Sequence, residues 1–328
     1  MYGRISAGNG KWCRKGVVAL GTLAVAVASA HAAAKTETAV PTQVVVTVEQ
    51  NVKSAPQNAV LQRDDVMVKQ GRDRAQVVGW RKIDSAMDGQ QIVILIDDSL
   101  QAQVSTDFDD LRNFILALPA STQVAVGYMQ NGQTVMTGQL TTDHASVAKL
   151  LRLPTGIIGV NASPYFCVSD LVHHWPSHGP PAASKTVLLI TDGIDRYYEP
   201  GTFDPLDPYV AAAIHDAQRN NLMVSSFYFR DRGAVDQGFN GANVGQNYLQ
   251  MVADATGGTM YYEGIGNPVS FAPFVKDLQK QIANQYVVTY LAHGRGMQSV
   301  KVYTDLHHVK LQSQQRVLVG QQVLMMGP

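Results

Sequence analysis

The chain predicts an α/β fold: a doubly wound, mostly parallel sheet flanked by small β segments. Three observations carry that expectation. Uncharged runs such as Ile92-Val-Ile-Leu-Ile96 and Thr186-Val-Leu-Leu-Ile190 are what strands buried on both faces require. Between them lie segments with apolar residues at helical spacing, as in Phe108, Leu111, Phe114, Ile115 and Leu118. Outside residues 89–285 the pattern changes to short, β-branched, partly alternating runs.

In chain order, residues 1–32 read as a secretory signal. Arg4, Lys11, Arg14 and Lys15 precede an uncharged run from Gly16 to Ala30, and Ala30-His31-Ala32 is a small-x-small cleavage site. The run is shorter than the roughly 20 residues a spanning helix needs, so no stable membrane span is expected after its removal. Residues 33–88 read as a loose leader and a small β module, with strands in Gln43–Glu49, Asp65–Val68 and Ala75–Trp80.

The α/β region follows at 89–285. Strand Ile92–Asp97 leads to a helix that stops before Pro119. Strand Val124–Met129 turns at Asn131-Gly132 into Thr134–Leu140, placing one antiparallel strand at an edge. Asp143 caps a helix reaching Leu151, and Phe166–Trp175 forms another. Strand Thr186–Ile190, helix Pro208–Asn220, strand Val224–Phe229, helix Asn247–Ala255, strand Thr259–Tyr262 and helix Val269–Ile282 complete the alternation. Residues 286–328 form a C-terminal β extension, with strands Tyr286–Leu291, Val300–Thr304 and Val309–Val319. Because Tyr286 follows the last helix with almost no linker, that helix is expected to be pinned.

Composition narrows the function. The whole chain has 26 Lys+Arg against 26 Asp+Glu. Without the four basic residues of the signal, 22 face 26, a mildly acidic balance that argues against nucleic acid as partner. Cys13 leaves with the signal, so Cys167 stands alone between Phe166 and Val168 and reads as a buried structural thiol. His173, His174 and His178 lack the spacing of a metal motif and read as surface residues. No nucleophile elbow, phosphate loop or strand-linked dinucleotide motif is present, so the chain is not expected to be an enzyme.

In open α/β sheets, ligands bind beyond the carboxyl ends of the strands. There the sequence places Asp97-Asp98-Ser99-Leu100-Gln101, Thr191-Asp192-Gly193 and the segment 156–164 with Ser163. Carboxylates and hydroxyls converging from separate strand ends suit a hard cation. Two carboxylates close together would also repel, and a cation would relieve that. The stretches Ile194–Asp207, with Tyr197, Tyr198, Glu199 and Phe203, and Arg230–Gln246, with Arg232, read as long loops at the same edge. Their Tyr, Gly and Asn content suits recognition.

Here the chain resembles the von Willebrand factor A domain. That family carries D-x-S-x-S after the first strand, a Thr from a later loop and Asp-Gly after the fourth strand, together a metal-ion-dependent adhesion site. Asp97, Ser99, Asp192 and Gly193 match positions of that motif; Gln101 stands where the second Ser would be, and Ser163 stands in for the loop Thr. The flanks, including Gln285-Tyr-Val-Val-Thr-Tyr290, resemble acidobacterial-type von Willebrand factor A-related proteins. The resemblance implies a Rossmann-like architecture and a degenerate site for Mg2+ or Mn2+ at Asp97, Ser99, Gln101, Ser163 and Asp192. It further implies a periplasmic or secreted module that captures another protein, through an acidic residue of that partner where metal is bound. The alternative is a structural or assembly protein of the envelope with a silent metal site.

Overall fold

The computed structural model describes residues 38–50, 61–157, 159, 162–177, 179, 181–198, 202–230, 238–264 and 266–324. The expected signal segment, His178, Glu199 and Arg232 lie outside them. Among the described residues no helix is long and apolar enough to cross a membrane.

The chain opens with β1 (Val40–Gln50), β2 (Met67–Gln70), β3 (Asp73–Ala75) and β4 (Val77–Lys82). Asp84 then caps the single turn α1 (Ser85–Asp88), accepting from the Ala86 amide at 2.9 Å. β5 (Gln90–Asp97) is buried along its whole length. Next come α2 (Phe108–Leu116), β6 (Gln123–Gln130) and β7 (Gln133–Met136). The turn between the last two puts Asn131 and Gly132 at φ of 48° and 83°, the left-handed pair that a tight hairpin needs. Asp143 caps α3 (His144–Ala148) and Ser163 caps α4 (Pro164–His173), whose first residue is proline.

β8 (Ser184–Thr191), α5 (Pro208–Arg219) and β9 (Leu222–Tyr228) follow as the pattern requires. The next helix corrects the sequence reading: α6 spans Gly238–Thr256, so half of the expected Arg230–Gln246 loop is helical. Its glycines look like loop residues, but Gly245 lies against the Asp192 carbonyl, where any side chain would clash. Close packing, not flexibility, explains that glycine. β10 (Met260–Tyr261) and α7 (Ala272–Ala283) close the α/β unit.

The central sheet runs β10-β9-β8-β5-β6-β7, parallel throughout except for β7 at one edge. Side chains alternate between two cores, as strand geometry dictates. Ile92, Ile94 and Ile96 pack with Phe108, Leu111, Phe114 and Leu278. Val93 and Leu95 face the other way, onto Tyr165, Val168, Val210 and Leu249.

The last strands are β11 (Gln285–Ala292), β12 (Met297–Tyr303), β13 (Val309–Ser313) and β14 (Arg316–Leu318). The expected single strand Val309–Val319 is broken at Gln314-Gln315, where the Gln315 amide turns to donate to the Ala255 carbonyl at 2.9 Å. These strands pair with those of the N-terminal segment. One sheet is β13-β1-β11-β4 and the second β14-β12-β2-β3, and they share a core of Val44, Val46, Val68, Val288, Tyr290, Val300 and Val302. The two segments that flank the α/β region in sequence thus build one sandwich.

The α/β unit is inserted between neighbouring strands of that sandwich. Lys82 of β4 pairs with Tyr286 of β11, and the Ile83 amide donates to the Gln285 carbonyl at 2.9 Å. The seam lies under the amino ends of β5, β8 and β9. It contains Val45, Ala183, Met223, Val287 and Val323, with Ser184 Oγ donating to Gln285 Oε1 at 2.5 Å. A single residue, Asn284, separates α7 from β11; its carbonyl accepts from the Val48 amide, and the Ile282 carbonyl accepts from Gln90 Nε2. The α7 end is held from three sides.

Candidate functional site

The seam leaves the carboxyl edge of the sheet free, and there the Asp97 and Asp192 segments emerge from adjacent strands. Asp97 closes β5 and is buried. Its Oδ1 accepts from the Ser99 amide and Ser99 Oγ at 3.0 and 2.6 Å, and its Oδ2 from Thr191 Oγ1 at 2.8 Å. Asp192 follows β8 and is fully buried, 0% exposed. Gly193 then turns the chain at a φ of 72°, which lets the Ile194 amide reach back to Asp192 Oδ1 at 3.0 Å.

Arg196 completes this arrangement. Its Nη2 meets Asp192 Oδ2 at 2.5 Å and its Nη1 meets Oδ1 at 3.3 Å, a two-pronged pair whose guanidinium side chain is only 9% exposed. The Arg196 amide also donates to the Ala162 carbonyl at 3.0 Å, tying the turn to the segment before α4. Burial pushes the Asp192 carboxyl up, Arg196 draws it back and Asp97 adds to the rise, leaving it near about 6.

The remaining expected ligands are otherwise engaged. Ser163, 3% exposed, caps α4 by accepting from the Tyr165 amide at 3.3 Å. Gln101 starts a 3-10 turn over residues 102–107 and does not line the small cleft beside Asp97. That cleft is bounded by Asp97, Ser99, Ser163, Cys167 and Arg196, not by Asp192, and its free volume of about 10 Å3 is room for roughly one water. Asp97, Ser99 and Ser163 therefore share one cleft, while Asp192 is screened from it by its own arginine. A divalent ion bridging Asp97 and Asp192 does not fit these residues. The Asp192 oxygens already hold a cationic group, and the Ser163 hydroxyl is committed to a helix cap. Among the described residues no group of three His, Cys, Asp or Glu side chains could hold a metal.

Asp98 has a different role. It is 2% exposed and receives Arg152 Nη1 at 2.6 Å and Nη2 at 3.2 Å, Gln130 Nε2 at 2.6 Å and the Thr155 amide at 3.1 Å. Burial acts to raise its carboxyl, but Arg152, Gln130 and Thr155 together hold it below the usual carboxylate range. Arg152 also lies 3.7 Å over the Tyr128 ring. This network fastens the loop after α3 to the end of β5.

Outside the cleft lining, the segment that follows Arg196 carries an aromatic rim. Phe166, Tyr197 and Tyr209 meet edge to face with centroids 4.7–5.3 Å apart, and Phe203 leans on Tyr248 at 5.0 Å. Tyr197 is 50% exposed, Ile157 74% and Leu206 81%. In the cleft lining, burial raises the Cys167 thiol strongly, and its Sγ donates to the Gln133 carbonyl at 3.3 Å. That thiol is structural. His173 and His174 bond to helix carbonyls one turn back and stay outside the site.

Sequence reasoning missed Arg196, Thr191 and the Asp98–Arg152 pair. The signal for the first was a basic residue four positions beyond a buried Asp-Gly; for Thr191, a hydroxyl at the end of an apolar strand.

No known protein family matches the chain, and no curated protein is significantly similar to it in sequence. Solved structures do resemble it. The conserved hypothetical protein BatB from Bacteroides thetaiotaomicron is 15% identical, covering 60% of this chain and 98% of that one, with a TM-score of 0.39. An aerotolerance-related membrane protein from Bacteroides fragilis NCTC 9343 is 14% identical over 59% of this chain and 98% of that one, TM-score 0.38. A von Willebrand factor type A protein from Catenulispora acidiphila is 12% identical over 87% and 75%, TM-score 0.38. These are distant likenesses that assign no residue and no activity. One of the structures it resembles is thus of von Willebrand factor A type; independently of that likeness, the sheet carries the single antiparallel edge strand that the Asn131-Gly132 turn predicts.

Proposed function

We propose that this protein is an exported, non-enzymatic binding module, a doubly wound von Willebrand factor A-like unit carried on a β sandwich. It captures a protein partner at the carboxyl edge of its sheet. The observation that carries this reading is exposed apolar and aromatic surface at this edge: Ile157 on the cleft, and Tyr197, Phe203 and Leu206 along the segment that follows Arg196. Large, stiff aromatic groups supply contact area at little ordering cost, which is why such residues dominate binding hot spots. Among the described residues no nucleophile and base stand together there, and burial holds the Cys167 thiol protonated.

Site-specific photocrosslinking tests the reading. A photoreactive residue at Tyr197 or Leu206 is expected to trap one partner in envelope preparations, while the same residue at Met87, exposed by the seam, traps none. Capture from Val78 on the sandwich instead of from the rim would overturn the proposal and favour an assembly role for the β sheets.

A further inference from the structure

We propose that Arg196 is the resident cation of this site, standing in for the divalent ion that a von Willebrand factor A arrangement would place between Asp97 and Asp192. The inference goes beyond the partner-binding reading and does not depend on it.

Four observations carry it. Asp192 is fully buried, and a buried carboxylate needs a counter-charge. Arg196 supplies one through both nitrogens of its fork, from a side chain that is itself almost completely enclosed. The placement is built into the backbone: the left-handed Gly193 turn brings residue 196 back over residue 192, and the Arg196 amide is anchored on Ala162. Finally, Arg196 lines the cleft beside Asp97 and Ser99, so an ion entering that space would meet the field of its positive charge. The hydroxyls of Ser99 and Thr191 are turned to Asp97, which satisfies the second carboxylate without any ion. Charge, geometry and space all assign the cation's place to the protein itself. Any partner captured at the rim is then held without metal, and removal of divalent ions leaves the site intact.

The test uses the full chain, Mn2+ as the probe ion, electron paramagnetic resonance to count bound Mn2+, and thermal melting. Wild type is expected to bind no stoichiometric Mn2+ at millimolar concentration, and its Tm should move by less than about 1 °C on adding Mn2+, Mg2+ or chelator. Arg196→Ala bares Asp192 and should gain what wild type lacks: bound Mn2+ and a Tm that rises by about 3 °C or more in about 10 mM ion. Adding Asp192→Asn to that variant should abolish the gain. Arg196→Lys keeps the charge and should remain ion-blind. Stoichiometric Mn2+ on wild type that is lost in Asp97→Ala would overturn the proposal. So would a folded Arg196→Ala that binds no ion. If Arg196→Ala does not fold, Arg196→Gln, which keeps a polar side chain but removes the charge, takes its place in the same measurement with the same expected and overturning results.

Discussion

Gly245→Ala is the sharpest probe of how the fold holds the site. A Cβ at position 245 would stand 1.9 Å from the Asp192 carbonyl oxygen and 3.2 Å from the Gly193 carbonyl carbon. Real side chains do not approach backbone oxygen closer than about 3 Å, so α6 or the Asp192 turn must give way by at least about 1 Å. Neither moves freely. Tyr248, Leu249, Val252 and Ala253 bury α6 against the sheet, and Asp192 is locked by Arg196. Overpacking of this kind costs about 1–3 kcal/mol, and here it falls on backbone with no rotamer to turn aside. Alanine returns about 1 kcal/mol through its better helix propensity. With a backbone clash at the upper end of that range, the net expectation is a loss of about 1–2 kcal/mol, or roughly 2–6 °C in Tm for a chain of this size. Calorimetry or circular dichroism melting would measure it. Asn247→Ala, exposed on the same helix, is the control and should be neutral or slightly stabilising. A Gly245→Ala protein as stable as that control would refute the close approach and the account of why this helix carries glycine.

Two further predictions concern buried carboxylates. Asp107 is 4% exposed, and burial together with Asp110 raises its carboxyl to about 6. A raised carboxyl penalises the folded state above its folded pKa, and the penalty fades as pH falls through 6 toward 4. Asp107→Asn should therefore stabilise by up to about 3 kcal/mol near pH 7 and by nothing near pH 4; a pH-independent change in chemical denaturation midpoint would refute this. Asp98 has the opposite sign, since its carboxyl is held low. Its contribution is present above about pH 4 and is lost as pH falls through the folded value. Arg152→Ala should cost about 2 kcal/mol at pH 7, with the acid transition moved to higher pH; an unchanged acid midpoint would sink that assignment.

The sequence made the α/β sheet legible because strands buried on two faces cannot hide: β5 and β8 tolerate no charge within their apolar runs. The helix start at Asp143 was readable from its cap, whereas Ser163, read as a metal ligand, caps a helix that begins two residues before the expected Phe166. Partnership was not readable. Val44 opposite Val288 spans most of the chain, and nothing local in either strand names the other. The long α6 escaped because glycine and asparagine speak for loops, and only a tertiary contact at Gly245 reverses that. Within the site, Asp97, Ser99 and Asp192 announced themselves as polar residues directly after buried strands. Arg196 did not, since a loop carries no periodicity from which to read where a side chain folds back. Arg152 lies 54 residues from Asp98, beyond the reach of any local pattern.

The way the α/β unit hangs from its sandwich also sets how the molecule bears load. Both connectors leave from one place, the end of β4 and the start of β11, which lie side by side. A pull applied at the rim and resisted by the sandwich would reach these two strands end-on and in parallel. β11 is bound along its length by β1 on one side, in eight register pairs from Thr47–Gln285 to Val40–Ala292, and by β4 on the other. Tension along β11 would shear that ladder, straining its pairs together instead of peeling them one after another. Strands loaded this way resist extension better than a hairpin opened from its end. A tether of this design resists extension through backbone pairing alone, with no disulfide among the described residues.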